Sequence, residues 1–165
     1  MDELGFPDRH HLAAAEGWLG LGDDLEAGRE LAKLQRSVRS HPSVLEVRWR
    51  LQSGRGAWKL ALRTARQLVK AAPERASGWI HQSYCLHELQ RTGEAFAALE
   101  SVVGRFPREC VIPYNLACYA CQLGDLDAAR RWLEQAVQVG GRAMIRQMAL
   151  DDADLAPLKG FVEGL

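Results

Sequence analysis

The sequence predicts an all-α chain folded as a solenoid of helix–turn–helix repeats, and three observations predict it. Leu and Ala occur 23 times each, whereas Val, Ile and Thr together occur 15 times. Unbranched and small side chains favour helix and β-branched ones favour strand, so the composition leans to helix throughout. The chain also matches itself at a spacing of 34 residues, with Gly22, Gly56 and Gly124 at one phase of that period and Pro73 and Pro107 at another. A period of this length marks a stacked-repeat architecture.

The elements follow in order from that period. Gly22, Gly56, Gln90 and Gly124 share one phase, and Ala27, Ala61, Ala95 and Ala129 stand five residues later. Leu31, Ala65, Leu99 and Leu133 share a third phase, and Leu34, Leu68, Val102 and Ala136 a fourth. The first helix of each unit, helix A, is expected to run to the glycine phase, where a positive φ ends it. Asp23 and Asp125 beside two of these glycines are placed to cap the second helix, helix B. The alanine lets helix B lie close to helix A, and the larger residue beyond it fills the seam. Pro42, Pro73 and Pro107 mark where helix B stops or the next helix A starts. These signals divide the chain into repeats at about 8–41, 42–75, 76–109 and 110–141. Residues 142–150 read as a further helix and the Asp-rich 151–165 as a short terminal segment, so 142–165 is expected to cap the last repeat. Residues 1–165 are therefore expected to be one solenoid domain.

Here the chain resembles the tetratricopeptide repeat (TPR) family, whose unit carries W-x2-L-G-x2-Y, then A-x3-F, then P. Trp79, Ala95, Leu99 and Pro107 match in the third copy. Leu116-Ala117, Gly124-Asp125, Ala129 and Leu133 match in the fourth. Gly56, Ala61 and Pro73 match in the second, and Trp18, Gly22, Ala27 and Leu31 in the first. The resemblance covers roughly residues 8–141 and implies a right-handed α-solenoid of four repeats with a capping helix. The departures are Arg48-Trp49 for Leu-Gly in the second copy, Gln90 for the turn glycine and Gly141 for the fourth closing proline. Arg48-Trp49 is bulky where helices approach, so splayed or rotated packing is expected in that repeat.

Little in the chain points to catalysis. It has no phosphate-binding loop, dinucleotide fingerprint, HExxH or GxSxG. Cys118 and Cys121 form the one CxxC, without the second pair or matched histidines that a metal site of this type uses. They are expected to pack as small apolar residues, with no metal and no cofactor. No enzymatic activity is expected. Four cysteines within 37 residues are too few for a disulfide scaffold, and the acidic start MDELGFPD lacks the features of a secretory signal. A reducing cytoplasm is the expected location, and no stretch is apolar enough for a membrane helix.

The resemblance implies a binding protein whose helices A line a concave groove for a peptide or helix of a partner. Transferred by phase, the partner-binding residues are Glu46, Arg50, Ile80, Tyr84, His87, Tyr114 and Asn115, with Leu12, Glu16, Leu19, Ser53, Cys118 and Cys121 beside them. Arg50 would pair an acid and Tyr84 and Tyr114 would pack an apolar anchor. Ile80 and Tyr84 stand where chaperone-binding members carry Lys and Asn, so a carboxylate clamp of that kind is not expected.

Charge adds an alternative. The chain has 21 Lys+Arg and 21 Asp+Glu, and this neutrality disfavours a nucleic-acid partner. It is nevertheless segregated. Residues 1–30 carry eight acids, Asp2 and Glu3 among them, against two bases, and residues 47–73 carry seven bases and no acid. Arg55, Lys59, Arg63, Arg66 and Lys70 recur at three- and four-residue steps along one helical face. A scaffold that self-associates as a homo-oligomer, the basic stripe meeting the acidic first hairpin, is the alternative function.

Overall fold

The computed structural model describes residues 4–165; Asp2 and Glu3, counted in the acidic first hairpin, lie outside the described residues. Helices account for the regular structure, and no strand occurs among the described residues. Ten α-helices run in the order α1 (Asp8–Gly20), α2 (Asp24–Lys33), α3 (Pro42–Gly54), α4 (Trp58–Ala71) and α5 (Ala76–Glu88) among those residues, followed by α6 (Thr92–Glu100), α7 (Val111–Gln122), α8 (Leu126–Gly140), α9 (Arg142–Leu150) and α10 (Lys159–Glu163). The chain divides into two compact units, residues 1–82 and 83–165, and the division falls within α5.

The repeating turn is the local event that makes these helices. Gly22, Gly56, Gln90 and Gly124 all adopt positive φ, at 77°, 65°, 60° and 85°. Each N–H at this phase donates three residues back: Gly22 to the Leu19 carbonyl, Gly56 to Ser53, Gln90 to His87 and Gly124 to Cys121. The next N–H donates five residues back in every copy, Asp23 to Trp18, Ala57 to Gln52, Arg91 to Leu86 and Asp125 to Ala120. This is the left-handed helix stop that satisfies otherwise orphaned carbonyls. Asp23 then accepts the Glu26 N–H at 3.0 Å and Asp125 the Ala128 N–H at 2.9 Å, starting α2 and α8. Each cap stabilises its helix by about 1 kcal/mol.

Close packing follows at the expected phases. Ala27, Ala61, Ala95 and Ala129 are each 0 % exposed, and Leu31, Ala65, Leu99 and Leu133 are buried beyond them. In the first unit α1 packs on α2 and α3 on α4, with α3 also against α1 and α2. Leu12, Ala15, Ala27, Leu31, Leu34, Val44, Val47 and Leu51 form its core. The expected splaying at Arg48-Trp49 does not open the α3–α4 seam, since Ala61, Ala65 and Leu68 are all fully buried. The Trp49 ring turns to α5 and stacks on His81. Gly78 of α5 meets the Val69 backbone of α4, where a Cβ would stand 3.0 Å from the Val69 nitrogen. Asp8 leaves the acidic surface altogether: it is buried and its carboxylate accepts the Gln35 N–H at 2.9 Å.

In the second unit α7 is buried on nearly every side, from Ile112 to Cys121. It packs on α8, on α6 and on a 3-10 segment, Ala153–Leu158, that follows α9. Leu155, Leu158 and Val162 anchor this last stretch, each 1–2 % exposed.

Gln90 carries a side chain where its three counterparts are glycine. Gln90→Gly is expected to raise stability by about 0.5–1 kcal/mol, the left-handed penalty less the chain entropy glycine adds. Urea denaturation checks this, and a lowered midpoint would contradict it.

Candidate functional site

The first unit presents one face of α3 beside the start of α5. Helical spacing brings Glu46, Trp49 and Arg50 to adjacent positions on α3. Glu46 receives a hydrogen bond from the Ser77 hydroxyl and lies 2.7 Å from His81 Nε2. The His81 ring lies flat on Trp49, with centroids 3.5 Å apart and planes at 7°. Burial acts to raise the Glu46 carboxyl pKa, but bonding to His81 and Ser77 outweighs it and holds the carboxyl below its ordinary value. Glu46 thus fixes the ring pair, and Arg50 stands exposed beside it. Ile80 is half-buried one turn from Ser77.

The second unit presents the end of α5 and the face of α7. Tyr84 is 37 % exposed, and its hydroxyl pKa is pushed up to about 12 by burial and then by Glu88. His87 bonds Thr92 Oγ1 through Nδ1 at 3.0 Å and lies 3.1 Å from Asp154 through Nε2. Tyr114 is only 5 % exposed and donates to Asp152 Oδ2 at 2.7 Å. Cys118 donates to the same oxygen at 3.6 Å, and Gln122 Nε2 donates to the Asp154 carbonyl at 3.1 Å. Asp152 Oδ1 accepts the Asp154 N–H at 2.9 Å, which shapes the turn. Asn115 is half-buried on α7.

The segment around Asp152 therefore lies on the α7 face from which Tyr114 was expected to receive a partner. Tyr114 and His87 are engaged by acids of this chain, whereas Arg50 and Tyr84 remain exposed. Sequence reasoning missed Asp152 and Asp154 as ligands of this face, because the period ends before them. It also missed the Trp49–His81 pair, although the signal was present: neighbours of Glu46 on the next helix A lie about one period on, at Ser77 and His81.

All four cysteines are free, and Cys118 and Cys121 are buried in α7. Burial first, then the Asp152 and Asp154 charges, push the Cys118 thiol pKa far up. That is opposite to the activation a nucleophilic cysteine needs. Burial and the Asp152 hydrogen bond push the Tyr114 hydroxyl up in the same way.

The five residues of the basic stripe are all exposed. Arg55 pairs with Asp24 at 3.4 Å. Lys59, Arg63, Arg66 and Lys70 make no ion pair among the described residues.

No family model and no curated protein matches the chain. Solved structures do. MamA 41-end from Desulfovibrio magneticus RS-1 aligns with a TM-score of 0.72 at 17 % identity, over 98 % of this chain and 92 % of that one. A further MamA structure aligns with a TM-score of 0.73 at 14 % identity, over 98 % of this chain and 88 % of that one. A thermophilic TPR protein from Thermus thermophilus aligns with a TM-score of 0.68 at 18 % identity, over 96 % of this chain and 100 % of that one. The chain has the fold of tetratricopeptide-repeat proteins, as its repeat residues imply. No described helix is long and apolar enough to cross a membrane.

The Glu46 carboxyl titrates below its ordinary value of 4.5, so its contribution to stability is complete above that pH and is lost as pH falls through the depressed value. Glu46→Gln should show a smaller loss of urea stability on acidification than the wild type. Equal losses in the two proteins would contradict the assignment.

Proposed function

We propose that this chain is a cytoplasmic protein-interaction module without catalytic activity, a single functional domain that takes a segment of a partner protein on its helix-A faces. Glu46, Arg50 and Ile80 in the first unit, and Tyr84, His87, Tyr114 and Asn115 in the second, belong to those faces in this reading. One observation carries it: a short acidic and aliphatic segment, Asp152–Leu155, already lies on the face of α7. Its acids meet Tyr114, Cys118 and His87, and its Leu155 is buried. A face suited to such a segment within the chain suits one of like chemistry from a partner.

The roles differ by residue. Arg50 is exposed and free to form a two-pronged bond with a partner carboxylate. The Trp49–His81 stack beside it offers a flat apolar platform, which Glu46 holds in place. Tyr84 offers a second aromatic surface. His87 and Tyr114 meet a partner only when Asp154 and Asp152 release them.

Self-association through the basic stripe and the acidic hairpin has less support. Asp24 is taken by Arg55, Glu26 by Arg29, and Glu30 by His11 and Lys33. Asp23 caps α2 and Asp8 is buried. Among the described residues, Glu16 is the one acid of the hairpin without such an engagement. The exposed Lys59, Arg63, Arg66 and Lys70 fit a different acidic surface, in a contact that salt would weaken.

Partners recovered with the wild type and with an Arg50→Glu/Tyr84→Ala variant test the reading. The variant should lose them, and an unchanged set would sink it. A dimer in solution that dissociates in high salt and is abolished by Lys59→Glu/Arg63→Glu would favour self-association instead.

A further inference from the structure

The geometry points to a binding site for a zinc-class divalent metal ion made by Cys118 of α7 and Asp152 and Asp154 of the segment after α9, with His87 of α5 beside Asp154 as the fourth donor once the ion draws it in. The CxxC spacing drew attention to Cys118 with Cys121. Folding instead directs Cys118 alone toward a different set of donors, brought from three places in the sequence.

Three of the donors already converge. The Cys118 sulfur and one oxygen from each of Asp152 and Asp154 all lie within 4.8 Å of one another. Cys118 Sγ stands 3.6 Å from Asp152 Oδ2, and His87 Nε2 stands 3.1 Å from Asp154 Oδ2. Around a tetrahedral zinc ion, bond lengths of about 2.0–2.3 Å put neighbouring donors about 3.3–3.6 Å apart. The Cys118–Asp152 separation matches such an edge, and the His87–Asp154 separation is slightly shorter than one. A sulfur, an imidazole nitrogen and two carboxylates form a mixed donor set that suits zinc better than the hard cations magnesium or calcium.

The outer contacts are those that orient metal ligands. His87 Nδ1 is held by Thr92 Oγ1 at 3.0 Å, which leaves Nε2 facing Asp154. Tyr114 donates to Asp152 Oδ2 at 2.7 Å, and Asp152 Oδ1 accepts the Asp154 N–H. Hydrogen bonds of this kind fix ring orientation and carboxylate direction around bound metals. Cys118 is 4 % exposed, so its sulfur is shielded from bulk water on the α7 side. Binding replaces the Cys118 thiol proton, now donated to Asp152, with the metal, and releases that proton to solvent. The ion would then join α5, α7 and the segment that covers α7. This assignment does not depend on the partner-binding reading.

The test uses the full chain, reduced and stripped with a chelator, titrated with zinc by calorimetry and with cobalt(II) as the optical probe. One equivalent should bind, and the cobalt form should show thiolate-to-metal charge transfer. Cys118→Ser should abolish that absorption and Cys121→Ser should retain it. Asp154→Asn and His87→Gln should each weaken zinc binding by about tenfold or more. Circular dichroism establishes that each variant is folded; should Cys118→Ser fail to fold, Asp154→Asn decides, because its side chain is partly exposed. Absence of saturable one-equivalent binding would overturn the site. So would charge transfer that survives Cys118→Ser, or zinc affinity that Asp154→Asn leaves unchanged.

Discussion

The close approach of paired helices at one alanine per period is the constraint on which the rest depends. Ala27, Ala61, Ala95 and Ala129 are each fully buried. A larger side chain there would push helix B off helix A, at a cost of about 1–3 kcal/mol for overpacking. The approach in turn needs an abrupt reversal of the chain five residues earlier. The backbone achieves this with the same pair of hydrogen bonds in every copy, whether the residue is glycine or Gln90. Turn and alanine act as one device: the turn sets the direction of helix B and the alanine sets its distance. The larger residues at the third and fourth phases then fill a seam of fixed width.

Much of this was legible in the sequence because it is local and periodic. A period records what every unit needs, and every unit needs the turn, the small residue and the filler. Gln90 reads as a defect in that pattern, yet its backbone adopts the glycine conformation, since the flanking helices fix it. Arg48-Trp49 reads as a clash, yet Trp49 finds His81 on the next helix A and the seam stays closed. Both cases show packing between elements overriding a local preference. What the period could not convey lies beyond its end. Asp152 and Asp154 belong to no repeat, and only tertiary folding sets them against Tyr114, Cys118 and His87.

That placement changes the meaning of the candidate surface. By phase alone, Cys118 and Arg50 are equivalent positions two periods apart. In the structure one is covered and hydrogen-bonded to Asp152, and the other is exposed. The same contrast separates His87, held between Thr92 and Asp154, from Tyr84, one turn earlier and open to solvent. Charge follows a similar logic. Among the described residues, the acids of the first hairpin are mostly spent on caps, buried bonds and local ion pairs, whereas four cations of α4 are not. A net charge of zero therefore describes neither surface.

Residues 151–158 lie over the α7 face that carries Tyr114 and Cys118, and in the proposed binding mode this segment parts from α7 to admit a partner. Thiol labelling followed by mass spectrometry tests it most directly, because Cys118 lies under that segment and Cys85 lies in α5. Leu155→Ala removes the segment's most buried anchor, a change that costs about 2–5 kcal/mol in a packed site. The account predicts that Cys118 is then modified about tenfold faster or more, while Cys85 stays protected as in the wild type. An unchanged Cys118 rate, or equal acceleration of Cys85, would contradict it.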